Sequence, residues 1–302
     1  MKRIFAVFFI FVLCIGLFAS CSSDSDNGDA VIRIATKPMV EQYILGEILA
    51  LIIEDATGFS VEVTKGIAGG TSNIHPAMVR GDFDLYPEYT STGYIMVLGR
   101  SAAGVSNDEI WDNLIREYAE RYDMIWVGLY GFNNTFCIVV RGDVARRYNL
   151  QTTSDLAAVA GGLVFGGNPD YFEREDGFPA LVRTYGLEFA RIVELDIGLR
   201  FVALESGDID VTTGFTTDAQ LAAHDVVILE DDLGLHVSYY ASTIVRNDAL
   251  EKFPGLYEAL MIMDGLISDS EMLRMNHAVA IEGQDERDVA RAFLIEKGVL
   301  SQ

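Results

Sequence analysis

Polar and apolar residues alternate over Val31-Ile-Arg-Ile-Ala35, which predicts a strand. Apolar residues at Val40, Ile44, Leu45, Ile48, Leu49 and Ile52 then form a helical stripe over 40–55. Ser60-Val-Glu-Val-Thr64 alternates again, Gly69-Gly70 opens a short helix ending near Gly81, and Phe83 to Tyr86 reads as a strand. This strand–helix repetition predicts a parallel sheet covered by helices. Asn107 is expected to cap a helix reaching about Tyr122, and Phe136 to Arg141 is a buried strand by pattern. A second α/β run follows. Ser154 is expected to cap a helix, Gly162–Phe165 to be a strand, and Phe178–Tyr185 and Leu199–Ser206 to be helices. Ile209–Thr212, Val226–Leu229 and Ala241–Arg246 read as strands. Helices are expected from Asp248, from Ser268 or Ser270, and from Asp285, each opened by a capping residue.

The strands near 136–141 and 241–246 bracket the middle run. They predict two α/β lobes joined by two crossings: 30–134 plus 240–302, and 135–239. The first 29 residues stand apart. Behind Lys2 and Arg3, Ile4 to Phe18 is almost wholly apolar and short for a membrane span, the pattern of a signal peptide over 1–20. It ends Leu-Phe-Ala-Ser-Cys21, small residues before a cysteine, so Cys21 is the expected lipidation site. Only Ser, Asp, Asn and Gly fill 22–29, a tether with nothing to bury.

Composition narrows the function. Of the 302 residues 50% are hydrophobic, enough for ordinary cores. The net charge of −23 repels phosphate backbones and anionic lipid, so no nucleic-acid partner is expected and the lipid must do the anchoring. Of Cys14, Cys21 and Cys137 only the last belongs to the body, which excludes an internal disulfide there. His75, His224, His236 and His277 have no metal-ligand spacing. Neither a nucleophile elbow nor a phosphate loop is present, and no enzyme, cofactor or metal is expected.

Cations are scarce, 22 against 45 acids, so one placed among glycines or aromatics invites a reason. Lys37-Pro-Met39 and Tyr86-Pro-Glu-Tyr-Thr-Ser-Thr92 follow strands, where open α/β sheets bind ligands, and Tyr171-Phe-Glu-Arg-Glu-Asp-Gly177 precedes a helix. At these segments the sequence resembles the glycine betaine/choline-binding proteins of ABC-type osmoprotectant importers, the OpuAC-type family. Ala35 to Tyr43, Gly69 to Ser72, Asp84 to Thr92, Tyr130 to Phe136, Phe172 to Gly177, Gly214 to Asp218 and Tyr239 to Ala241 continue in family order, with Met275 to His277 and Val289 to Phe293 beyond.

The resemblance implies a two-lobed periplasmic-binding-protein-like fold (type II) with a ligand cleft between lobes. In similar proteins a quaternary ammonium head sits in a box of rings, here Tyr89, Phe136, Phe215 and Tyr239. Arg174 and Lys37 would hold a carboxylate tail, Thr92 would donate a hydroxyl, and Asn134 and Gln42 are weaker candidates. Ring quadrupoles suit a cation that cannot donate a hydrogen bond. An ABC permease is the expected partner, and the protein is expected to act as a monomer. The family usually has tyrosine at positions 136 and 215 and often glycine at 91, where this chain has Phe, Phe and Ser. Plainer roles compete: Phe136 as a core ring, Tyr239 or Tyr240 as the inward one, Arg174 paired at the surface with Glu173 or Glu175, and Lys37 as a helix-start charge. Another zwitterionic solute, or a solute-sensing ectodomain, remains an alternative function.

Overall fold

The computed structural model describes residues 30–102 and 104–301. The expected signal peptide over 1–20, the expected lipidation site Cys21 and the expected tether over 22–29 lie outside the described residues. Ten strands are defined: β1 (Val31–Ala35), β2 (Ser60–Thr64), β3 (Leu85–Tyr89), β4 (Met124–Asn133), β5 (Phe136–Arg141), β6 (Val164–Gly167), β7 (Arg191–Glu194), β8 (Val211–Phe215), β9 (Val226–Leu229) and β10 (Tyr240–Arg246). They form two five-stranded sheets, ordered β2-β1-β3-β10-β4 and β7-β6-β8-β5-β9.

Each sheet has a parallel part and an antiparallel part. β1 runs parallel to β2 and β3, and β6 runs parallel to β7 and β8. β10 is antiparallel to β3 and β4, as β5 is to β8 and β9. The chain passes from the first sheet to the second between Asn133 and Phe136 and returns between Leu229 and Tyr240.

The first sheet rests on helix Val40–Thr57. That helix is apolar nearly all round, with Ile44, Leu45, Ile48, Leu49, Ile52 and Ile53 buried, because C-terminal helices Leu256–Met261, Asp269–Ala280 and Glu286–Glu296 cover its other side. It stops at Gly58, whose φ of 74° suits glycine and whose N–H bonds back to the Glu54 carbonyl.

Several expected boundaries move. β3 runs through Pro87 instead of stopping at Tyr86. β1 pairs with β3 only at Ile34–Leu85, so that side of the strand is open where the proline lies. β4 is a ten-residue strand that alternation does not announce, because Gly128 (φ 64°) and Gly131 (φ 111°) interrupt it with irregular pairing to β10. β6 and β8 begin about two residues later than their patterns suggest, so Phe215 closes a strand and does not lie in a loop. Ser106, and not Asn107, caps helix Asn107–Tyr122, accepting the Glu109 N–H at 3.2 Å. Thr152, and not Ser154, caps a 3-10 turn over Thr153–Ala158 in a reciprocal box with Asp155. Asp248 is not the N-cap: helix Asn247–Lys252 starts after Arg246 without a side-chain cap, and Asp248, inside its first turn, pairs with Arg246. Ser268 and Asp285 cap their helices as expected. No helix among the described residues is long and apolar enough to cross a membrane.

Candidate functional site

The parallel strands of both sheets point their C-terminal ends at one cavity of about 340 Å³. Lys37 and Met39 follow β1, Gly69 and Gly70 follow β2, and Tyr89 ends β3. Across the gap Asn168 and Asp170 follow β6, Ile197 follows β7 and Phe215 ends β8. Asn134 and Phe136 come from the first passage between sheets and Tyr239 from the return. All eight residues singled out from the sequence, Lys37, Tyr89, Thr92, Asn134, Phe136, Arg174, Phe215 and Tyr239, line this space. Gln42 does not. It is buried beside it, where its side-chain oxygen accepts the Lys37 N–H at 3.4 Å.

The rings come together through strand register. Phe136 of β5 lies directly opposite Phe215 of β8, with centroids 5.1 Å apart. Tyr239 meets Phe136 edge-on at 5.4 Å. Tyr239 is buried against the cavity, whereas Tyr240 starts β10 and is only half-buried. Tyr89 faces the group from the first sheet.

Each ring also has a cation of the protein itself beside it. Lys37 Nζ is 4.8 Å from the Tyr89 centroid, and the Arg174 guanidinium is 5.5 and 5.8 Å from those of Phe136 and Tyr239. Arg200 lies 5.2 Å from Phe215. Each cation has a carboxylate. Lys37 pairs with buried Glu88, which also accepts from Thr71 Oγ1 at 2.7 Å. Arg174 forks onto Asp176 at 3.0 and 2.7 Å, and Arg200 reaches Asp218 at 3.2 Å. Arg174 is thus neither a surface residue nor paired with Glu173 or Glu175. Its Nη1 edge remains toward the cavity, 2.8 Å from the Met96 thioether and 4.0 Å from Asp170. The Tyr239 hydroxyl donates to Asp176 and accepts from Arg174 Nη2 at 3.3 Å. Burial pulls the Lys37 ammonium below its usual pKa, and Glu88 offsets this in part. Burial also works against the Arg174 charge, but Tyr239 and Asp176 outweigh it and hold the guanidinium ionised.

Pattern reading missed the residue at the centre of this arrangement. Glu41, in the first turn of helix Val40–Thr57, is 3% exposed. Its carboxylate accepts from Tyr89 Oη at 2.6 Å, Thr217 Oγ1 at 2.6 Å, Asn276 Nδ2 at 3.1 Å and Asn134 Nδ2. Burial raises its pKa and the four donors pull it back. A single acid therefore ties the cage tyrosine to the first passage at Asn134, to Thr217 after β8 and to Asn276 of helix Asp269–Ala280. An acid in a first turn ordinarily reads as a surface charge favoured by the helix dipole. The neighbouring polar motifs at 217–218 and 276 were the available signal.

The OpuAC family, described as the substrate binding domain of ABC-type glycine betaine transport systems, matches residues 30–296. The chain belongs to this family. OpuAC domains are solute-binding parts of transporters and not enzymes. Among relatives, the ergothioneine transport permease/ergothioneine binding protein EgtU of Helicobacter pylori is 38% identical over 88% of this chain and 47% of that protein, so the chain spans about half the relative's length. The carnitine transport binding protein OpuCC of Listeria monocytogenes is 33% identical over 97% of this chain and 96% of its own. A solved glycine betaine/carnitine/choline ABC transporter structure superposes with a TM-score of 0.70 at 27% identity, covering 89% of this chain and 99% of that one. Closed lactococcal OpuAC with glycine betaine gives 0.61 at 17% identity, covering 89% and 97%, a likeness of fold.

Proposed function

We propose that this protein is an extracytoplasmic lipoprotein, anchored through Cys21, that captures glycine betaine or a related quaternary ammonium zwitterion for an ABC permease. The observation that carries the reading is the convergence of Tyr89, Phe136, Phe215 and Tyr239 on one cavity beside the Nη1 edge of Arg174. Ring faces suit a trimethylammonium group, each contact contributing roughly 0.5–2 kcal/mol according to desolvation. The built-in cations already have their acids, so a solute with no net charge fits better than a bare cation such as choline. Segments 30–134 plus 240–302 and 135–239 serve as lobes that close on the solute by hinge motion at the two passages. The protein works as a monomer and delivers its cargo unaltered.

Phe136 and Phe215 keep the π-faces without the hydroxyls that the family usually carries there. This favours, as a second reading, a zwitterion other than glycine betaine, and the names of the relatives above include two such solutes, ergothioneine and carnitine. Calorimetric titration of the purified protein with glycine betaine, proline betaine, carnitine and choline tests the proposal. Saturable one-to-one binding of a carboxylate-bearing ligand, with choline weaker, is the expected result. Silence with all four ligands, from folded protein, rejects it. Arg174→Ala should weaken glycine betaine much more than choline; equal losses would remove Arg174 from the carboxylate role.

A further inference from the structure

The hydrogen bonds around Glu41 also orient two amides. Asn134 donates from Nδ2 to one carboxylate oxygen of Glu41. Asn276 donates from Nδ2 to the other at 3.1 Å and to the Thr217 carbonyl at 2.9 Å. A carboxylate and a carbonyl accept and do not donate, so both amides must turn their N–H ends toward Glu41. Their carbonyl ends face away from it. Both residues are 4% exposed, and neither Oδ1 has a partner among the described residues. Asn134 lines the main cavity. Asn276 lines a neighbouring cavity of about 280 Å³ that shares Met39, Ile197 and Phe215 with the first. Among the described residues lining either space, these two oxygens are the buried side-chain polar atoms without a partner.

Buried acceptors in native proteins are nearly always matched, and other polar groups of the main cavity are matched internally. Lys37 has Glu88, Arg174 and the Tyr239 hydroxyl have Asp176, and the Tyr89 hydroxyl has Glu41. Among the described residues of the cavity wall, the oriented acceptor left unmatched is therefore Asn134 Oδ1. Resting on the trimethylammonium reading above, we propose that Asn134 Oδ1, held by Glu41, selects solutes that carry an O–H or N–H donor besides their ammonium and carboxylate. Glycine betaine has no such donor, because its nitrogen bears four carbons and its carboxylate only accepts. A hydroxyl between the two charged ends, as in carnitine, or a ring N–H, as in ergothioneine, supplies one. Asn276 Oδ1 offers a second acceptor to a solute long enough to pass Phe215. Asn134 is then a specificity-determining residue and Glu41 a positioning residue.

Calorimetry on the purified full chain tests this with four ligands: carnitine, its 3-deoxy analogue 4-trimethylammoniobutanoate, ergothioneine and glycine betaine. At least one donor-bearing solute should bind about tenfold or more tightly than both donor-free ones, and Asn134→Ala should close that gap. The ligand ranking is the decisive readout, because a merely structural role for Asn134 would weaken every ligand alike. If the variant does not fold, the wild-type comparison still decides. Donor-free ligands binding as tightly as both donor carriers would overturn the proposal, leaving Asn134 Oδ1 to a water molecule. An unchanged ranking in Asn134→Ala would overturn it as well. Failure of all four to bind folded protein would reject the trimethylammonium reading itself.

Discussion

Glu41 shows how one side chain can cost stability and organise a site together. Its carboxylate is desolvated, and Tyr89, Asn134, Thr217 and Asn276 offset that cost with four hydrogen bonds. Because its folded pKa is raised, between the ordinary carboxylate range and the raised value the folded protein keeps a proton that the unfolded chain has lost. Stability should therefore fall as pH climbs through that window and level off above it. Urea unfolding across that range should show the slope in the wild type and its loss in Glu41→Gln. The variant also aims an amide donor at amide and hydroxyl donors, and at neutral pH it should lose about 1–3 kcal/mol. Cys137 makes a second prediction at this scale. Burial pushes its thiol pKa up to about 12, so a thiol reagent at neutral pH should label it only as the protein unfolds. The eight cavity residues were legible through the family motifs in which they stand, several of them at or near strand ends. Their acid partners were not. Glu88 meets Lys37 across 51 positions of sequence, and no local pattern encodes such a meeting.

Among the elements, β4 separates what pattern reading can reach from what it cannot. Alternation was enough to locate β1 and β2, and short apolar runs located β5, β9 and β10. It fails at β4 because the strand bends at Gly128 and Gly131 to admit the 264–267 segment, whose Gly265 and Ile267 N–H groups bond to the Leu129 and Tyr130 carbonyls at 2.7 and 2.9 Å. A Cβ at position 131 would lie 2.7 Å from the Ile267 carbonyl oxygen, at a φ that disfavours any side chain. Gly131→Ala should cost on the order of 2 kcal/mol or more. Gly234→Ala, at φ 63° in open space, should cost about 1 kcal/mol. Paired thermal melts measure the difference, and equal losses would show that β4 tolerates the side chain. β8 extends past its expected end at Thr212 through Phe215, which places that ring opposite Phe136 in register. The sequence pattern ends the strand at Thr212, short of that ring.

For the whole molecule, the contact of interest is the bond from Thr217, which follows β8 of the second sheet, to Glu41, which packs on the first. Thr217 is buried and does not line the main cavity, so Thr217→Val can remove the bond while leaving the rings in place. The variant should bind its solute about tenfold more weakly, chiefly through faster dissociation. Stopped-flow traces should separate the rates, and solution scattering should show less compaction at saturating solute than in the wild type. The same bond bears on the empty protein. It joins the two sheets' surroundings without needing cargo, so on the hinge-closing proposal above it would hold part of the unliganded ensemble in the shut arrangement. Apparent affinity scales with the fraction already competent to bind, and a latch of this kind raises that fraction in advance. On the same proposal, a permease that recognised only the shut shape would be engaged at times by empty carriers.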